Sequence, residues 1–120
     1  MLVLCCGSRN WTDWPKVEQA LHRMLLAVGF FRVLHGGARG ADSVSGEVAR
    51  LLGLDVETVY PDWKQHGRRA GMLRNTAMLE RHPDYVIAFW DGVSRGTLDT
   101  IMKAVNVYRI PVVVVRGGDG

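Results

Sequence analysis

The sequence predicts an α/β domain: a three-layer sandwich of helices on both faces of a five-stranded parallel sheet. Three observations lead there. Short apolar runs rich in β-branched residues recur along the chain. Between them the apolar spacing changes to the helical period. The strict alternation of the two patterns implies parallel strands joined by right-handed crossovers, with both sheet faces covered. At 120 residues, 48% apolar and 22% charged, the chain fits one domain spanning 1–120 that buries a core without metal or disulfide support.

The first run, Leu2–Cys6, is continuously apolar, as a strand buried on both faces requires. Cys5 and Cys6 are neighbours on it, so their side chains point to opposite faces; they read as two small buried hydrophobes, not as a bridge. Val17, Ala20, Leu21, Met24, Leu25 and Val28 then form one helical stripe, with Thr12 or Asp13 to cap it and Pro15 in its first turn. A second strand is expected at Phe30–Leu34. The helix after it covers Ala41–Leu52 through Val44, Val48, Leu51 and Leu52, and Gly53 ends it. Leu54–Val59 is the third strand. A third helix spans roughly 69–81, with Met72, Leu73, Ala77 and Met78 as its apolar stripe. Tyr85–Trp90 is the fourth strand, followed by a helix over roughly 97–107. Ile110–Val115 is the purest strand signal, and Pro111 is tolerable at a strand entry. Disorder is expected only over Gly117–Gly120. Together these elements give a Rossmann-like sandwich, with 3-2-1-4-5 the expected strand order.

Composition excludes several function classes. The net charge is +3 and the isoelectric point near 9.2, with lysine only at Lys16, Lys64 and Lys103. Arginine forks match phosphate and carboxylate geometry, although a GC-rich genome produces the same excess. A modest, scattered positive charge does not argue for duplex DNA. No run is long enough to span a membrane, and Met1–Leu4 is too short for the apolar region of a signal peptide. With no disulfide framework, a reducing cytoplasm is the expected location. No metal-ligand spacing surrounds the cysteines, and neither a metal nor a cofactor is expected.

In open parallel sheets, ligands bind beyond the carboxyl ends of the strands, near the point where strand order reverses. Four segments fall on that edge: Gly7–Asp13, His35–Asp42, Tyr60–Gly67 and Asp91–Thr97. Arg9, Arg39 and Arg95 each lie in one of them. Gly36, Gly37 and Gly40 lead straight into a helix, whose N-terminus and exposed amides favour phosphate. Arg39 is placed to close over that anion, and Asp42 to cap the helix or meet a ribose hydroxyl. The spacing matches neither the Walker motif nor the dinucleotide fingerprint. A tight strand-to-helix connection is the plainer alternative. The turn from Asp91 and Gly92 to Thr97 repeats the arrangement: Ser94, Gly96 and Thr97 present donors at a helix start, with Thr97 the candidate N-cap. Two such turns on one edge favour an anion cradle over mere capping. Arg74 and Asn75 are expected to face the same edge. Trp11 and Trp63 are candidates to stack on a base, whereas Trp90 reads as core. His35 and His66 are acid/base candidates by type, but neither has a partner in sequence, and a structural role is the plainer reading. No Ser-His-Asp, HExxH or Cys-His signature occurs.

The chain resembles the SLOG superfamily, specifically its small YspA-type (YpsA-related) branch found in bacteria and phages. The resemblance rests on Gly7-Ser8-Arg9 with Trp11-Thr12-Asp13, on His35 through Asp42, on Pro61-Asp62-Trp63, on Gly71 through Arg74-Asn75, and on Phe89 through Thr97. It implies a Rossmann-like fold and a pocket for a nucleotide or nucleotide-derived signal, serving a sensor or sequestering role. Related proteins commonly dimerise, so a homodimer is expected. The related "Lonely guy" phosphoribohydrolases cleave the N-glycosidic bond of nucleoside monophosphates, using an arginine on the third helix and a glutamate in a PGGxGTxxE motif. Arg74 matches the first, which makes a nucleotide N-glycosidase with Arg74 and Asp99 as its catalytic pair the alternative reading. At the second the chain departs: Thr100 stands where the glutamate is expected and Asp99 comes one residue early, a rotation of about 100° around a helix. A DNA-processing accessory role, after the related DprA protein, is a second alternative that lacks an extended basic face.

Overall fold

The computed structural model describes residues 1–117; the expectation of disorder at the C-terminus therefore falls mostly outside the described residues. Strands β1 (Leu2–Gly7), β2 (Arg32–His35), β3 (Asp55–Thr58), β4 (Tyr85–Trp90) and β5 (Val112–Arg116) alternate with helices α1 (Trp14–Val28), α2 (Ala41–Leu51), α3 (Trp63–His66), α4 (Ala70–Leu79) and α5 (Arg95–Asn106). The sheet is parallel throughout, as the alternation predicts, and its order is β3-β2-β1-β4-β5, the expected one. Val3 lies beside Val33 on one side and Tyr85 on the other, so β1 is the central strand.

The side-chain alternation of the strands builds two cores. Val3, Cys5, Val33, Ile87 and Phe89 face α1 and α2, where Val17, Leu21, Val44 and Val48 complete one layer. Leu4, Cys6, Leu34, Val86 and Ala88 face α4 and α5, meeting Met78, Leu79, Ile101 and Ala104. Cys5 and Cys6 are free, buried, and divided between the two cores. Burial pushes the Cys5 thiol up to about 12 and raises Cys6 as well, which disfavours the thiolate form of both.

Local signals set the helix ends. Asp13 caps α1 by accepting a hydrogen bond from the Lys16 amide at 3.2 Å, and Pro15 sits in the first turn. The expected third helix is α4, which starts at Ala70 and ends at Leu79, and a separate short helix, α3, lies before it. Asp62 caps α3 through the Gln65 amide at 3.1 Å, and a 3-10 turn over Gly67–Arg69 joins it to α4. Every residue of α3 is exposed, so no apolar period marks it in sequence. The stripe on α4 also differs from expectation. Ala70, Arg74 and Met78 face inward at helical spacing while Met72 and Ala77 are exposed. A central parallel strand is the commonest home for a pure valine run, yet β5 lies at the sheet edge with Val113 and Val114 44% and 42% exposed. No helix among the described residues is long and apolar enough to cross a membrane.

Candidate functional site

Ser8, the residue just past β1, knots the loops at the carboxyl edge of the sheet. Its amide donates to the Phe89 carbonyl at 2.9 Å, and its carbonyl accepts from the amides of Trp11 and Ala41. Its hydroxyl oxygen accepts from the Asp91 amide at 3.0 Å and lies 3.2 Å from the Ser94 hydroxyl oxygen, to which it can donate. The loops after β1, β2 and β4 are thus tied through one buried serine.

The β4–α5 turn is shaped by Asp91. Its carboxylate accepts from the amides of Val93 (2.9 Å) and Ser94 (2.8 Å) and from the Ser94 hydroxyl (2.8 Å). Those donors, the Ser94 amide first, hold Asp91 down to about 2. The N-cap of α5 is Ser94, not Thr97 as expected, because Thr97 is already inside the helix. With its hydroxyl turned toward Ser8 and Asp91, Ser94 makes no cap bond to α5. The first-turn amides of α5 are left without a side-chain acceptor, the condition in which a helix end receives an anion.

The β2–α2 turn is built the opposite way. Asp42 is buried and accepts from the amides of Gly36 (3.0 Å) and Ala38 (3.2 Å). The Gly37 amide donates to His35 Nδ1 at 3.0 Å, and His35 Nε2 lies 3.2 Å from the Thr58 hydroxyl. Because Nδ1 accepts, the ring proton belongs on Nε2, directed at Thr58. Three amides expected to face a phosphate therefore point inward, and Asp42 is neither the helix cap nor free for a ribose; Gly40 holds the N-cap position. Burial pushes Asp42 up to about 6, against the pull of these amides and of Arg74 and Arg9. Burial, then Arg50 and Arg74, lowers His35 below its ordinary value.

Arg74 joins this turn to α4. It is 8% exposed; Nη1 donates to the Gly36 carbonyl, and Nε to Asn75 Oδ1 at 2.7 Å. Gly36 has to be glycine for this approach, since an added Cβ would lie 2.6 Å from the guanidinium.

These loops enclose a cleft of about 740 Å³. Gly7, Ser8, Arg9, Arg39, Asp42, Arg74, Asn75, Asp91, Ser94, Gly96 and Thr97 line it, as does Asp99. Gly36 and Gly37 line an adjoining cavity of about 400 Å³. Gly40 and Gly92 shape the turns without forming wall. Trp11 is elsewhere: it is 2% exposed, its ring centroid 5.5 Å from that of Phe89, so it fills core and is not available to a base. Trp90, read as core, is half-buried under the Arg116 guanidinium, and its indole N–H donates to the Ser94 carbonyl. His66 lies on α3, outside the cleft wall. Arg68 escaped the sequence reading because it falls in the 3-10 turn, where periodicity carries no signal, and Tyr60 lies in a marked edge segment without having been singled out.

Five arginines thus converge on the cleft: Arg9, Arg39, Arg68, Arg74 and Arg95. Of the carboxylates there, Asp42 and Asp91 are occupied by amides, and Asp99 pairs with Lys103 at 3.0 Å. Among the described residues none of the five arginines pairs with a carboxylate. The hollow at the opposite sheet edge, about 650 Å³, contrasts with this: Arg32 there pairs with Asp55 and Glu57, and Arg81 with Glu57. Thr100, at the position of the hydrolases' glutamate, is buried and donates to the Gly96 carbonyl at 3.1 Å. No group of three or more histidine, cysteine or carboxylate side chains among the described residues is arranged to hold a metal ion.

Residues 1–66, which carry the β1 and β2 loops and run through α3, match the model of the YspA, cpYpsA-related SLOG family. The Gene 61 protein of Mycobacterium phage D29 is 38% identical over 120 aligned residues, covering 92% of this chain and 93% of that protein. The order of motifs, the sheet topology and the cleft at its carboxyl edge agree with that match, and the chain belongs to the YspA, cpYpsA-related SLOG family.

Proposed function

We propose that this protein is a binding module for a nucleotide or nucleotide-derived ligand, acting as a sensor or sequestering protein. One observation carries the reading: Arg9, Arg39, Arg68 and Arg95, with no side-chain partner among the described residues, converge on a cleft lined also by the uncapped N-terminus of α5. Arginine supplies paired donors to phosphate oxygens, and the helix end adds amides and a favourable dipole. Phosphate is the group that uses both.

The N-glycosidase alternative has one supporting observation, that Arg74 and Asp99 line the same cleft. Their contacts weigh against it. Arg74 is committed to the Gly36 carbonyl and Asn75, and Asp99 is held by Lys103. A carboxylate already paired with an ammonium has less to gain from an oxocarbenium-like centre.

The two readings separate in one experiment on the wild-type protein. A panel of adenine, guanine, ADP-ribose-type and cyclic nucleotides is screened by thermal shift, and each mixture is then analysed for free base by chromatography. At a hundredfold excess over Kd a ligand adds about 2.7 kcal/mol, several degrees for a domain of this size. Stabilisation without base release is the expected result. Base release that disappears in both Arg74→Ala and Asp99→Asn would make the protein an enzyme.

A further inference from the structure

The cavity beside the main cleft has a different character from its neighbour. Tyr60 and Pro61 from the β3–α3 loop and Trp63 from α3 form one wall, and Gly36, Gly37 and Ala38 form the other. Tyr60 and Trp63 are 73% and 53% exposed, although rings of this size are normally used to fill core. Gly37, at φ 71°, lets the Tyr60 ring lie against the loop backbone; an added Cβ there would meet the ring at 2.6 Å. The ring is therefore seated from behind by a glycine while its other side stays open. Arg9, Arg39 and Arg74 line both cavities and form the boundary between them, with Trp63 beside them.

At about 400 Å³ the aromatic cavity is large enough to take a ring system, and at about 740 Å³ the main cleft is as well. We infer that the aromatic cavity is a second base-binding subsite, and that the preferred ligand is a dinucleotide: two nucleosides joined through phosphate, one base against Tyr60 and Trp63, with the bridge crossing the arginine boundary. This rests on the nucleotide reading above and narrows it. Stacking on an aromatic side chain tolerates any base, and the bridge charge falls beside Arg9 and Arg39, which have no side-chain hydrogen bond or ion pair among the described residues. A mononucleotide would satisfy one cavity and leave the other solvated.

The test compares AMP and GMP with their pyrophosphate-linked dimers, diadenosine and diguanosine diphosphate, by calorimetric titration of the full chain. Each dimer is expected to bind roughly ten- to hundredfold tighter than its monophosphate, the contribution of one stacked base. Tyr60→Ala should collapse that ratio toward one and Tyr60→Phe should preserve it, with circular dichroism verifying that both variants fold. Dimers that bind no better than monophosphates, or a ratio that survives Tyr60→Ala, would overturn the second subsite while leaving nucleotide binding intact. Absence of binding by every probe would overturn both. Affinity that keeps climbing from dinucleotide to oligonucleotide would indicate an open strand groove and would also overturn the inference.

Discussion

Arg74 performs a structural task with a side chain suited to ligand binding. It takes an inward-facing position of α4 between Ala70 and Met78, and its guanidinium satisfies the Gly36 carbonyl. Arg74→Ala would leave that buried carbonyl unpaired, so it should cost about 1–3 kcal/mol of folding stability before any ligand is added. Arg39 is exposed on the cleft rim, so Arg39→Ala should leave stability unchanged and weaken the ligand by about 1.5–3 kcal/mol. Arg23→Ala on α1 is the control, and equal affinity losses for Arg23 and Arg39 would mean a diffuse charge effect. Asp42 and His35 make a second residue-scale case. Asp42 is raised from 3.8 to about 6, so the folded chain binds more protons in that window, and this group's contribution to stability falls as pH rises through it. His35 is lowered from 6.5, so the unfolded chain binds more protons just below that value and stability rises with pH there. Urea unfolding from acid to neutral pH should show the Asp42→Asn curve rising more steeply than wild type, and the His35→Gln curve less steeply. Identical slopes in all three would refute the assignments.

At the scale of elements, α2 and α5 begin at similar glycine-containing turns but serve different ends. The α2 turn spends its amides on Asp42 and His35, whereas the α5 turn spends its side chains on itself and leaves the helix start uncapped. Gly96 in that first turn is exposed, with open space where a Cβ would go. Gly96→Asp should therefore stabilise the helix by about 0.3–1 kcal/mol through the dipole, with a further gain from replacing glycine. The same carboxylate would sit at the anion position and abolish ligand binding. A raised Tm together with lost titration heat is the expected pair of results; unchanged affinity would move the phosphate elsewhere. That the two turns differ was not legible in sequence. Glycines and arginines mark where an edge loop lies, but the direction of an amide depends on which buried acceptor the fold places beneath it.

For the whole molecule, the side of the fold around β5 and α5 is incompletely covered. Leu98, Met102 and Val105 form an exposed stripe at helical spacing, and Val113 and Val114 are exposed on the edge strand nearby. We propose that a second copy of the chain covers this face, with Asp99 and Lys103 beside the stripe able to exchange partners across a two-fold axis. The wild type should then elute at about twice 13.4 kDa, and Met102→Glu should elute as a folded monomer. A monomeric wild type at high micromolar concentration would leave this face without that role.

The sequence by itself determined the class of fold and the edge on which the cleft lies. Both follow from periodicity and from the handedness of strand crossovers, whereas the sheet order, one of several compatible with that alternation, was decided by strand pairing in the tertiary structure. It also marked the glycine- and arginine-bearing edge loops that border the cleft. Tertiary structure alone decided which side chains are free to act. Trp11 became core and Trp63 stayed open; Arg74 turned inward and Arg39 outward; Asp42 was consumed by its own loop. The physical reason is that a polar group's role is set by the nearest unsatisfied partner, and in a parallel sheet those partners come from strands far apart in the chain, as Ser8 meets Asp91 across 83 positions.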